Sequence, residues 1–96
     1  MAAVTRLTDL CSGHDCWPPR VNDVASSDVF AEGLGVHRQT DHWILHCCPN
    51  QGCHDSVLAA GSSTVYINGL QCGRIGDPIE CGSVVMTGAS TVFAGG

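Results

Sequence analysis

Short apolar stretches broken by glycine and small polar residues run the length of the chain, and no segment has helical periodicity with caps. "STVYI" (63–67) and "TVFA" (91–94) alternate β-branched and aromatic residues with small ones, the pattern of short strands. Glu32–Gly33 and Asn68–Gly69 directly follow such stretches and predict hairpin turns; Gly76–Pro78 predicts another turn.

The pattern recurs. "HDSVLAAGSSTVYING" (His54–Gly69) lies on "CGSVVMTGASTVFAGG" (Cys81–Gly96) without a gap, Ser56 on Ser83, Gly61 on Gly88 and Tyr66 on Phe93. "SSDVFAEGLGVHRQTDH" (Ser26–His42) lies on "SSTVYINGLQCGRIGDP" (Ser62–Pro78), Arg38 on Arg74 and Asp41 on Asp77. The reading is one domain, residues 1–96, with repeat copies over about 14–53, 54–80 and 81–96, the last cut short after its second strand. Units this short cannot each bury a core, so they should pack around a shared axis. The expected fold is all-β and pseudo-threefold. "WPPRVND" (Trp17–Asp23) and "HWILHCCPNQGC" (His42–Cys53) read as loops.

A 96-residue body needs a staple beyond its hydrophobic core. Seven cysteines accompany five histidines, and "MAAVTRLTDL" lacks a charged start followed by an apolar run. The reading is synthesis in the cytosol, where Cys/His richness points to a metal rather than a disulfide framework. In an oxidising setting a Cys16–Cys53 or Cys11–Cys48 link is open, and sequence does not assign the pairing. A net charge of −5 with four basic residues argues against nucleic acid or an anionic membrane surface as partner.

His54 and Cys81, both zinc-ligand types, are equivalent at the heads of copies two and three. His14 precedes Asp15 as His54 precedes Asp55, so it is read as the head of copy one. Three heads brought round one axis supply three legs of a tetrahedron, and the fourth must come from the bridge between copies one and two. His46 is the expected donor there, with Cys47 the runner-up; His42 matches Pro78, a turn position, and is less suited. The expected ligands are therefore His14, His46, His54 and Cys81, binding zinc, with iron the alternative. Asp15 and Asp55 are either acceptors that orient the ligands or plain turn residues. Cys11, Cys16, Cys48, Cys53 and Cys72 read as small buried residues or local pairs. Four protein ligands close a zinc site to substrate, and HExxH, GxSxG, P-loop and CxxC motifs are lacking, so no enzyme is expected.

The segments "RLTDLCSGHDCWPPR", "DVFAEGLGVHRQTDHWILHCC", "CHDSVLAAGSSTVYINGL", "RIGDPIECGS" and "TGASTVFAGG" together resemble the PAAR-repeat family over nearly the whole chain. Of the namesake Pro-Ala-Ala-Arg, only the arginine remains, at Arg38 and Arg74, and "ASSDV", "GSSTV" and "GASTV" lack the proline that precedes each strand in the family. The resemblance implies a small β cone with zinc near its point, held by three His and one Cys. It implies a structural role: sharpening a contractile injection machine, whether phage tail, tail-type bacteriocin or type VI secretion system. The broad base would dock on a trimeric β-helical spike protein, and the point would meet the target membrane. The protein would be made in the bacterial cytoplasm and assembled at a tail tip or secreted. Lacking a toxin extension, the chain is expected to act as a bare tip; the alternative is a zinc-binding adaptor that recruits effector cargo to a spike.

Overall fold

The computed structural model describes all 96 residues, and every regular element in it is a strand. Three short ladders share one form. Phe30–Ala31 (β2) pairs with Leu34–Gly35 (β3), and Tyr66–Ile67 (β6) with Leu70–Gln71 (β7), both antiparallel. Their turns are the expected ones: Glu32 and Gly33 have φ of 54° and 82°, Asn68 and Gly69 of 54° and 81°. Two successive left-handed residues match the twist of paired strands. The third ladder lacks such a turn. Phe93–Ala94 (β8) instead pairs with Ala2–Ala3 (β1), from the other end of the chain. The N-terminus thus supplies the strand that the last repeat lacks.

The three-part scheme continues along the body, which is 39 Å long and 23 Å across in both other directions. Thr5, His37 and Gly73 occupy equivalent positions and form a closed triangle of backbone bonds. Thr5 N–H donates to Gly73 (2.9 Å), Gly73 to His37 (2.9 Å) and His37 to Thr5 (3.1 Å). Gly73 suits this close approach, because a Cβ there would meet the His37 carbonyl oxygen at 2.9 Å as well as Thr5 Cγ2 at 2.8 Å and Leu58 Cδ2 at 2.9 Å. Two apolar clusters lie along the chain's course. The first holds Val4, Val36 and Cys72 as equivalents, with Ala31 and Ala94, under the ladders. The second holds Cys11, Trp43 and Ile79 as equivalents, with Leu58 and Val85. Single bridges join neighbouring units in the same way at each junction of the second cluster: Asn22 with Trp43, Leu58 with Ile79, Val85 with Cys11.

The bridge read as a loop from His42 to Cys53 is instead the longest pairing in the molecule. His42–Cys48 (β4) runs antiparallel to Gly52–Val57 (β5), with a bulge between Trp43 and His46. Its cysteines and histidines hide the β-branched alternation by which strands are recognised in sequence. Cys47 and Cys53 face each other across this ladder and are disulfide-bonded; Cys48 is bonded to Cys16. Neither Cys16–Cys53 nor Cys11–Cys48 forms, and Cys11 is buried and free. Adjacent Cys47 and Cys48 point to opposite faces of the strand, so each finds its own partner.

Candidate metal centre

Beyond the second apolar cluster each unit turns back on itself, and the four ligand-type residues come from these reversals. His46 and His54 are direct cross-strand partners in the β4–β5 ladder. His14 sits in a tight reversal closed by two backbone bonds with Trp17, of 3.0 and 2.8 Å. Gly13 makes room for it: a Cβ there would press to 2.5 Å from the Trp17 carbonyl oxygen. Cys81 lies in the turn between Ile79 and Ser83, whose backbone groups are bonded at 2.9 Å.

The structure brings His14, His46, His54 and Cys81 together, with one donor atom from each within 4.8 Å of every other. The Nε2 atom of His54 lies 2.7 Å from that of His46 and 2.9 Å from that of His14. His46 Nδ1 is 2.8 Å from the Pro18 carbonyl oxygen, which only accepts, so Nδ1 carries the proton and Nε2 presents a lone pair. His54 has one Nε2 and can offer a proton to only one of its two neighbours. A cation satisfies all three nitrogens at once. Zinc with bonds of about 2.0–2.1 Å would set tetrahedral nitrogens ~3.3 Å apart, a few tenths of an ångström wider than here. Three nitrogens and a sulfur in this arrangement could hold a metal ion.

The electrostatics suit that task. Burial and then the nearby Arg20 charge lower the His46 pKa, and burial and His14 lower that of His54. Both imidazoles are thereby kept neutral, as ligands must be. Burial alone would raise the Cys81 thiol, but the Ser83 N–H and the Arg20 guanidinium outweigh it and bring the pKa below the usual thiol value.

Arg20, which sequence reading passed over inside "WPPR", is buried against the site. Its Nη2 donates to Cys81 Sγ at 3.4 Å. Its Nη1 lies 3.1 and 2.9 Å from the two nitrogens of His46, a near-equal spacing that puts it over the ring face rather than in the ring plane. Trp17 covers the other approach: its indole stacks on His14 with centroids 5.0 Å apart, and its N–H donates to the Gly52 carbonyl at 3.0 Å.

Two sequence expectations change. His14 is not the threefold mate of His54 and Cys81. The bridges at Asn22, Leu58 and Val85 align Pro18 with His54 and Cys81, while His14 aligns with His46, as Cys11 does with Trp43. Asp55 does not orient a ligand either. It binds His42 Nε2 at 2.8 Å while Asp23 holds His42 Nδ1 at 2.7 Å, which keeps His42 out of the cluster. Cys47, the alternative ligand, is engaged in its disulfide.

A family model described as the PAAR motif matches residues 13–87. The chain belongs to the PAAR motif family. In this PAAR chain all four clustered residues fall inside the matched span. Two relatives from Pseudomonas aeruginosa are similar to it: the NAD(P)(+) glycohydrolase toxin Tse6 of strain PAO1 and the (p)ppApp synthetase toxin Tas1 of strain UCBPP-PA14. Each is 42% identical over 40 residues, which is 42% of this PAAR chain and 9% of the relative.

Proposed function

We propose that this chain is the structural tip of a contractile injection machine, seated by its ladder end on a trimeric β-helical spike and stabilised by zinc bound to His14, His46, His54 and Cys81. On this reading the repeats run over about 14–53, 54–80 and 81–96, with the N-terminal residues from Ala2 to Cys11 completing the third. The observation that carries it is the set of exposed aromatics: Phe30, Tyr66 and Phe93 are 59%, 55% and 51% exposed, one on each ladder around one axis. Three equivalent apolar groups exposed around a threefold axis suit a partner with true threefold symmetry, and the open ladder edges offer it backbone groups to pair with. The metal-bearing end then faces the target membrane, where a metal cross-links reversals too thin to hold a core. The ligand set leaves no open coordination position, so the role is structural rather than enzymatic.

The test is co-purification with a trimeric β-helical spike protein of a contractile injection machine. One chain per spike trimer is expected, abolished by the triple change Phe30→Ser, Tyr66→Ser, Phe93→Ser with the fold intact. Binding of three chains per trimer, or binding unaffected by the triple change, contradicts it. The toxin names of the two relatives favour a second reading, an adaptor that carries effector cargo on a type VI spike. An effector that stays bound to the chain in the absence of any spike would select it.

A further inference from the structure

Each of the three clustered histidines stands next to, or one residue away from, a disulfide cysteine. His14 is two before Cys16, His46 is next to Cys47 and two before Cys48, and His54 follows Cys53. The most direct relation is in the β4–β5 ladder, where His46 faces His54 on one rung and Cys47 faces Cys53 on the next. The two rungs present their side chains to opposite faces. The His46–His54 rung closes on the metal centre, while Cys47 and Cys53 are both exposed to solvent. The Cα atoms of Cys47 and Cys53 are 4.1 Å apart. Anything that holds one rung together holds the other.

We propose that Cys47–Cys53 is a thiol–disulfide exchange site for small disulfides, thermodynamically linked to the metal centre: metal on His46 and His54 favours the closed disulfide, and the disulfide tightens metal binding by the same factor. The inference rests on the metal reading above. Closure proceeds by exchange with a low-molecular-weight disulfide such as oxidised glutathione. One protein thiolate attacks and expels a first glutathione thiolate, leaving a mixed disulfide. The second protein thiolate attacks that and expels the other glutathione. The Cys47–Cys53 bond forms, the glutathione S–S bond breaks, and the two protein thiol protons end on two glutathione thiols. Cys47 and Cys53 cannot act as metal ligands in place of His46 and His54, because they lie on the other face of the ladder. The linkage therefore has a definite sign. A chain loaded with metal in a reducing compartment is already shaped to close this bond on reaching an oxidising one.

The test equilibrates the full chain in graded glutathione buffers with and without saturating Zn2+, followed by differential alkylation and peptide mass spectrometry of Cys47 and Cys53. Metal should shift the thiol–disulfide equilibrium about tenfold toward the disulfide. In parallel, the affinity for Zn2+ is measured by chelator competition for the wild type with its disulfides intact and for Cys47→Ser/Cys53→Ser; the variant should bind about tenfold more weakly. Tight Zn2+ binding with no shift in either measurement overturns the linkage and leaves the metal centre standing. A shift toward the thiols on adding Zn2+ overturns it too. Failure of the wild type to bind Zn2+ at all overturns the metal reading itself.

Discussion

The ladder end and the metal end are built on the same three-part scheme and closed by different means. At the ladder end each junction carries one polar device. Arg6, Arg38 and Arg74 each fork onto the aspartate three residues on, and each sends Nη1 to the neighbouring ladder: to Glu32 at 2.8 Å and Asn68 at 3.0 Å in the two turns, and to the Gly95 carbonyl just after β8 at 3.0 Å. Where Ser26 and Ser62 use a side-chain oxygen to cap the N–H groups of Val29 and Val65, the third unit has Ala89. There the Glu32 carboxylate receives the N–H groups of Ser90 and Thr91 instead. At the other end, that of the His/Cys cluster, the three reversals differ in length, the clustered residues come two from one unit and one from each of the others, and two disulfides are added. Symmetry suffices where three ladders share an apolar core. Where the units end in single reversals, the disulfides and the clustered histidines and Cys81 take its place.

The sharpest break between the two ends is metal removal. Chelation, or Cys81→Ala, should release the β4–β5 hairpin and the Arg20 segment while the Thr5–His37–Gly73 triangle stays closed. Hydrogen exchange by mass spectrometry would see protection lost at 42–57 and kept at 4–5, 36–37 and 72–73. Uniform loss over both ends would mean that they form one cooperative unit. Next in size is Trp43→Ala, which empties a fully buried position in the second cluster and should cost about 3–5 kcal/mol in denaturant unfolding.

The acid response should belong to the axis rather than to the junctions. His37 is fully buried against Trp43, and burial first of all lowers its pKa to about 4, against an ordinary 6.5. In mild acid the unfolded chain takes up a proton here that the folded chain refuses. The contribution is whole above pH 6.5 and is lost as the pH falls towards 4, a span of about 3 kcal/mol. Unfolding free energies of His37→Gln should therefore fall less steeply than those of the wild type over that window. Equal slopes would assign the acid response elsewhere. The smallest expected effect is at one junction: Arg38→Ala removes its fork onto buried Asp41 and should cost about 1–3 kcal/mol, with the other two junctions intact.

The contrast also governs what the sequence reveals. The ladders, their Glu32–Gly33 and Asn68–Gly69 turns and the Arg38/Arg74 junctions recur in register and are legible. The four ligand-type residues are legible by chemistry, although His14 is the equivalent of His46, and Pro18, four residues further on, holds the place of His54 and Cys81. His14 follows Cys11 as His46 follows Trp43, too short a match to stand out from chance. The N-terminal strand is hidden because Ala2–Ala3 has no strand character of its own and is recruited by Phe93–Ala94. The β4–β5 hairpin is hidden because histidines and disulfide cysteines fill the positions where apolar alternation would mark a strand. Arg20 gives no local signal at all; only its burial beside Cys81 and His46 reveals it.

The central claim is that the clustered histidines and Cys81 bind one ion. Elemental mass spectrometry on untagged protein tests it most directly. One zinc per chain is expected, falling to well under half with His54→Ala or Cys81→Ala and unchanged with His42→Ala. A wild-type protein that folds and holds no metal, or a zinc content indifferent to Cys81, would contradict it.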